Sequence, residues 1–301
     1  MSKCRTIPRT STRILISVLV CVLSGIACWS CLNYLQLGAG DFKWSYLAGQ
    51  DLLAGRDPYR HPPHAEWIPY PLPAALVGLL FTPLPMGVAA AVFFGLSSGL
   101  LAFGLTRKGY LPLLAFLAAP YWVALTWAQW TPLIVAAAFF PVIGAVIVIK
   151  PHIAAPVVIT HLSRVAVIAS AVFFLISLAI YPTWPLKWIS QLSAFQRYFA
   201  LFTIPGPLLL LALKRWRDPD ARLLLLASIF PQRWFYDAFI LWLIPKTRKE
   251  FLVTALTSWI AWAWRMFHMP TTTLELGSLC VLCFYLPMLV IVLRRPAVKN
   301  S

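Results

Sequence analysis

Long apolar runs separated by short charged stretches set the pattern of this chain. Ten runs stand out, at 14–35, 86–106, 110–126, 131–149, 165–181, 201–213, 223–230, 238–244, 251–267 and 276–293. A helix needs about 20 mostly apolar residues to cross the hydrocarbon core of a bilayer. Lipid also forces backbone polar groups to pair within the segment, which favours helices over open sheets. The pattern therefore predicts an all-α polytopic bundle of about ten spans, a single integral membrane domain over residues 1–301. The two short runs on either side of residues 231–237 read as a tight outer hairpin.

The longest polar interruption follows the first run. Residues 36–72 predict a short amphipathic helix over 44–55, with Trp44, Leu47, Ala48 and Leu52 on one side and Gly55 as its stop. His61-Pro62-Pro63-His64 reads as an extended piece, because proline excludes helix there. Residues 73–81 are apolar but too short to span, and predict a helix lying in or dipping into the interface. Gly95 and Gly99 form a small-xxx-small pair suited to close helix packing.

Composition sharpens this picture. Hydrophobic residues make up 60% of the chain and charged residues 11%, against about 25% charged in a soluble domain. The net charge of +16 does not form a patch, so it excludes a nucleic-acid footprint and points to topology instead. Eighteen of the 25 Lys and Arg fall on the N-terminal side of the membrane, and the other seven are Lys43, Arg56, Arg60, Lys187, Arg197, Arg233 and Arg265. That bias predicts a multi-pass cell-membrane protein with both termini cytoplasmic, and residues 36–85 on the outer side. Lys150, between two apolar runs where a charge is costly, reads either as a functional charge or as a side chain snorkelling to the inner surface.

The outer stretch 37–59 holds three of the nine acidic residues. Asp41 follows the first span closely. It is either a cap for the helix that starts beside it or the base of an active site. Glycosyl transfer to a hydroxyl needs one group to take the acceptor proton. With a phosphate leaving group one carboxylate suffices, unlike the pair that hydrolases use. A lipid phosphate also needs cationic partners. Lys43, Arg197 and Arg233 lie in outer loops for that purpose, and each also reads as a plain topological charge. Arg233 stands out, since Gln232, Tyr236 and Asp237 share its short turn, although Asp237 also reads as its ion-pair partner. His61 and His64 read as solvated loop residues by default. Two CxxC pairs, Cys28 with Cys31 and Cys280 with Cys283, read as packing cysteines and predict no metal.

Several of these residues together resemble glycosyltransferase family 87. They are Asp41-Phe42, the run Leu52-Leu53-Ala54-Gly55-Arg56-Asp57-Pro58-Tyr59, Tyr70-Pro71, and Phe81-Thr82-Pro83-Leu84. Gln129 at the head of a run and Lys150-Pro151 also fit, while the family's Gly-Gln pair reads Ala128-Gln129 here. The resemblance implies a membrane enzyme of the GT-C class with an interfacial helix in its first outer loop. It implies transfer of a hexosyl or pentosyl unit, such as mannose, from a polyprenyl-phosphate donor to a lipid or glycan acceptor, with inversion. Asp41 would be the base, and Lys43, Tyr59, Tyr70, Gln129, Arg233 and Asp237 would bind substrate. The donor is a substrate, and no cofactor is implied. The contrasting reading is a transporter or flippase of lipid-linked sugars, which predicts internal repeats or acids within spans; an inactive lipid-binding relative is the third.

The topology is checked by a reporter fused after Gln50, which is expected to register on the extracytoplasmic side. A cytoplasmic signal would invert the arrangement.

Overall fold

A computed structural model describes residues 9–60, 70–192, 197–268 and 272–296, and its regular elements are helical. The chain opens with α1 (Thr10–Tyr34), α2 (Phe42–Leu53), α3 (Leu72–Leu79) and α4 (Met86–Leu105). Among the described residues, three helical runs are long and apolar enough to cross a membrane: Thr10–Tyr34, Met86–Lys108 and Thr273–Arg294. The chain is thus an all-helical protein of membrane type.

Helix α1 turns most of its surface outward. Leu15, Val18, Leu23 and Ile26 are each more than half exposed, a surface that only lipid covers without cost. Its one tight seam is with α4, where glycines let the backbones approach. A Cβ on Gly95 would stand 2.6 Å from the Cys21 carbonyl oxygen, and one on Gly99 would stand 2.8 Å from Cys21 Cβ. The small-xxx-small pair is therefore a packing seam, as its spacing predicts. At the far end of the pair, Arg13 donates to the Phe103 carbonyl at 2.8 Å and stacks on the Phe103 ring.

Helices α2 and α3 match their predicted positions to within two residues, and α2 packs against the side of α4. Phe42 stacks on Phe93 at 4.4 Å, seven residues into α4, which is roughly 10 Å below its start. The two short helices cross in near-contact of their backbones. A Cβ on Gly49 would stand 2.7 Å from the Leu79 nitrogen, and one on Gly78 would collide with the Ser45 carbonyl. Gly55, at φ +64°, ends the turn after α2. His61 and His64 lie outside the described residues.

Beyond α4 come α5 (Ala119–Thr126), α6 (Thr131–Ala136), α7 (Pro151–Thr160), α8 (Arg164–Ile180) and α9 (Trp184–Ser190). Here the sequence expectation fails. The 131–149 run is not one straight span. After α6 it reaches Phe140, whose ring stacks on Phe103 and lies under Arg107. A 3-10 segment, Pro141–Val148, then carries the chain back, so that the Lys150 ammonium meets the Gln129 side chain at 2.8 Å. Pro141 supplies the break: it has no N–H to continue the α6 ladder and pushes Phe140 into an extended conformation. α7 descends again to His161, beside Asp220 and Lys246. Residues 131–160 are a zigzag of three short passes where one was expected, and Lys150 lies inside the bundle, not at its inner surface.

Helices α8 and α9 bend by 95° at Tyr181 to Thr183. The chain closes through α10 (Pro219–Ile229), α11 (Arg248–Phe267), α12 (Thr273–Cys280) and α13 (Leu286–Arg294), the last two joined by one π turn. Segments Gly206–Arg215 and Phe235–Leu243 are 3-10 helices, which rise about 2.0 Å per residue and so stretch short runs further. At the end remote from Asp41, Arg295 bridges Asp220, Glu250 and the Ile244 carbonyl.

Replacing Gly78 with Ala is expected to part α2 from α3 and destabilise the protein by about 1–3 kcal/mol, the usual cost of overpacking. Thermal unfolding of the purified protein checks this.

Candidate functional site

The path out of α1 is built to bring Asp41 inward. Gly38 and Gly40 both take positive φ, at +64° and +52°. Gly40 lies flat against the turn between α5 and α6, where an added Cβ would stand 2.6 Å from the Trp127 carbonyl carbon. The next residue uses that same carbonyl: the Asp41 N–H donates to Trp127 O at 2.8 Å. Glycine is needed here for both its conformation and its missing side chain.

Asp41 occupies the N-cap position of α2, yet its carboxylate makes no capping bond. It points instead at two phenols. Oδ2 accepts from Tyr70 at 3.1 Å and from Tyr236 at 3.3 Å. Oδ1 has no hydrogen-bond donor among the described residues. The carboxylate therefore does not act as the cap of α2.

Next to this carboxylate stands the zigzag's upper end. Ala128 takes a left-handed conformation at φ +47°, where a glycine is ordinarily favoured, and turns Gln129 into the bundle. Gln129 is fully buried, and its Oε1 accepts from Lys150 Nζ at 2.8 Å. Asp237 Oδ1 lies 3.9 Å from the same ammonium. The ammonium also lies 5.6 Å from the Tyr70 ring and 5.2 Å from the Tyr236 ring, so two aromatic faces box a buried cation. Asp237 Oδ2 is taken by the backbone N–H groups of Arg233 and Trp234 at 2.7 and 3.2 Å. Phe42, Phe93 and Trp130 form the apolar floor, with the last two rings 4.6 Å apart.

The structure thus brings Asp41, Tyr70, Gln129 and Asp237 together. Arg233 joins them through its main chain, and its charge reaches Tyr70, Lys150 and His152. Tyr59 is a prop: its hydroxyl donates to the Tyr70 carbonyl at 2.9 Å and its ring packs on Trp44. Lys43 is half-buried on the first turn of α2. Arg197 is exposed. Burial, reinforced by the Asp41 carboxylate, holds the Tyr70 phenol well above its ordinary range, so it stays a proton donor.

Lys150 and Tyr236 complete the cluster, although the sequence reading gives Lys150 a place at the inner surface and names Tyr236 only as a companion of Arg233. A signal for Lys150 was present: a charge between two apolar runs is costly in lipid unless it has partners, and Pro141 breaks the run that would carry it away. Of the cysteine pairs, Cys28 lies beside Ala128 and Cys280 beside Tyr198. Among the described residues no three His, Cys, Asp or Glu are grouped to hold a metal ion.

No protein-family model, curated protein or solved structure matches the chain.

The outer loop that supports Tyr59 is tied down by Lys187, which donates to both Asp57 and the Tyr181 hydroxyl. Burial pushes the Asp57 carboxyl up, but the Lys187 bond and the Tyr59 N–H outweigh it and leave it below its ordinary 3.8. A carboxyl lowered by folding stabilises the folded state above its unfolded value and loses that contribution as the pH falls through the folded one. Hydrogen exchange over residues 54–60 is expected to accelerate below about pH 4, and Asp57→Asn to abolish that pH response.

Proposed function

We propose that this chain is a membrane glycosyltransferase that uses a polyprenyl-phosphate sugar and transfers its sugar to a lipid or glycan hydroxyl. The observation that carries the reading is the state of Asp41. One carboxylate oxygen is held by two phenols and the other takes no hydrogen bond from the described residues, within an apolar-floored cluster beside a buried cation. That is the arrangement a positioned general base needs: a fixed side chain and one oxygen facing an incoming hydroxyl.

In this reading the acceptor oxygen attacks the anomeric carbon as its proton passes to Asp41 Oδ1. The new C–O bond forms on the face opposite the breaking one, so configuration inverts. The bond to the phosphate oxygen breaks, and polyprenyl phosphate departs with its electron pair. Tyr70 and Tyr236 hold the base in place, and the phosphate needs no proton to leave. The chain sits in the cell membrane with residues 36–85 outward and both termini cytoplasmic. The zigzag preserves that arrangement, because three passes emerge on the same side as one. Lys43 and Tyr59 support the site from α2 and the outer loop.

One observation favours a second reading. Broken helices that bring a lysine and an aspartate together inside a bundle are also how secondary transporters build substrate sites. A flippase of lipid-linked sugars would move the donor without cleaving it.

Asp41→Asn, assayed in membranes with a polyprenyl-phosphate sugar, is expected to lose turnover by about 10²–10⁴-fold while retaining its fold. Normal turnover in a folded variant refutes the base assignment. Movement of intact donor across the bilayer, with no free polyprenyl phosphate formed, supports the flippase instead.

A further inference from the structure

The inner half of the cluster carries more hydrogen-bonding capacity than it uses. Lys150 is 4% exposed and offers three N–H groups. Among the described residues it donates to a single acceptor, Gln129 Oε1. Its distance to Asp237, 3.9 Å, exceeds hydrogen-bond length. Gln129 and Asp237 are fully buried, yet Gln129 Nε2 and Asp237 Oδ1 have no hydrogen-bond partner among the described residues. Buried polar atoms of this kind are costly to leave unpaired. Lys150 is also the N-cap of α7, a ten-residue helix, so the positive end of the helix dipole adds to the ammonium charge.

The unused groups differ in kind. The spare hydrogens of Lys150 and Gln129 call for an oxyanion. The spare oxygen of Asp237 calls for a hydroxyl close by. Asp41, acting as a base, must keep its own charge, which excludes a second bare anion on its side. The exposed cations are poorer candidates for the oxyanion: Arg56 and Arg60 are drawn to Asp51, at 2.8 and 3.1 Å, and remain nearly half exposed to solvent.

We propose that Lys150 and Gln129 form a phosphate subsite that seats the phosphoryl oxygens of a polyprenyl phosphate, with Asp237 Oδ1 accepting from a hydroxyl of the group that the phosphate carries. This deepens the transferase reading and rests on it only for the identity of that group. Lys150 then neutralises the departing phosphate, and the fold-back at Pro141 brings it to the site.

The test uses the full chain in nanodiscs and measures binding of three probes: polyprenyl phosphate, the matching polyprenol, and inorganic phosphate. Wild type is expected to prefer the phosphate over the alcohol by about tenfold to a hundredfold, the range of one or two charge-assisted hydrogen bonds. Lys150→Met and Gln129→Leu should each erase most of that preference, and Lys150→Arg should keep part of it. Competition by inorganic phosphate shows that the headgroup alone is read. Binding that requires the attached tail shows that the membrane lipid is the ligand. Equal affinity of wild type for phosphate and alcohol overturns the site. Undiminished preference in Lys150→Met does so as well, and if that variant fails to fold, undiminished preference in Gln129→Leu decides the same point. Lys150-dependent binding without any sugar transfer leaves this site standing and rejects the transferase, whereas transfer that ignores Lys150 rejects this site alone.

Discussion

An ammonium group held inside an apolar bundle is the constraint from which much of this architecture follows. Removing such a charge from water costs several kcal/mol, and only well-placed partners offset it. Lys150 finds them in Gln129, in Asp237 and in two tyrosine rings. None of these is near it in sequence. Gln129 must be turned inward by a left-handed Ala128, Asp237 must be fixed by the main chain of its own hairpin, and the chain must double back at Pro141. The same tyrosines that face the cation hold the Asp41 carboxylate, so cation and carboxylate share one scaffold.

Much of the outer architecture was legible in the sequence because local rules govern it. Gly55 ends α2 because a left-handed residue is needed there, and proline at 83 and 85 bounds α3 and opens α4. Gly95 and Gly99 declare a helix seam because only small residues let two backbones meet in lipid. Asp41, Tyr70, Gln129 and Asp237 are legible as candidate site residues from the sequence alone. That reading comes from placement on the outer side and from a family resemblance, not from any knowledge of contacts.

What stayed hidden depends on distance through space. Nineteen apolar residues from 131 to 149 satisfy a span by length and hydropathy alike, and those measures register no reversal. Pro141 was the local sign of one, but proline is tolerated in spanning helices when neighbours satisfy the freed groups, so it did not settle the matter. The 3-10 segments are harder still, because their stretched rise lets ten residues such as Gly206–Arg215 cover the depth that α-helix would need more for.

The zigzag over 131–160 has a consequence for how such chains are mapped. Its passes are odd in number, so the chain leaves the zigzag at the end of the bundle where a single pass would have left it. Parity is preserved while connectivity changes. A hydropathy plot and a full set of end-point reporters would agree with each other and still overlook the hairpin that carries the buried lysine. Only a probe placed between Phe140 and Lys150 can see it.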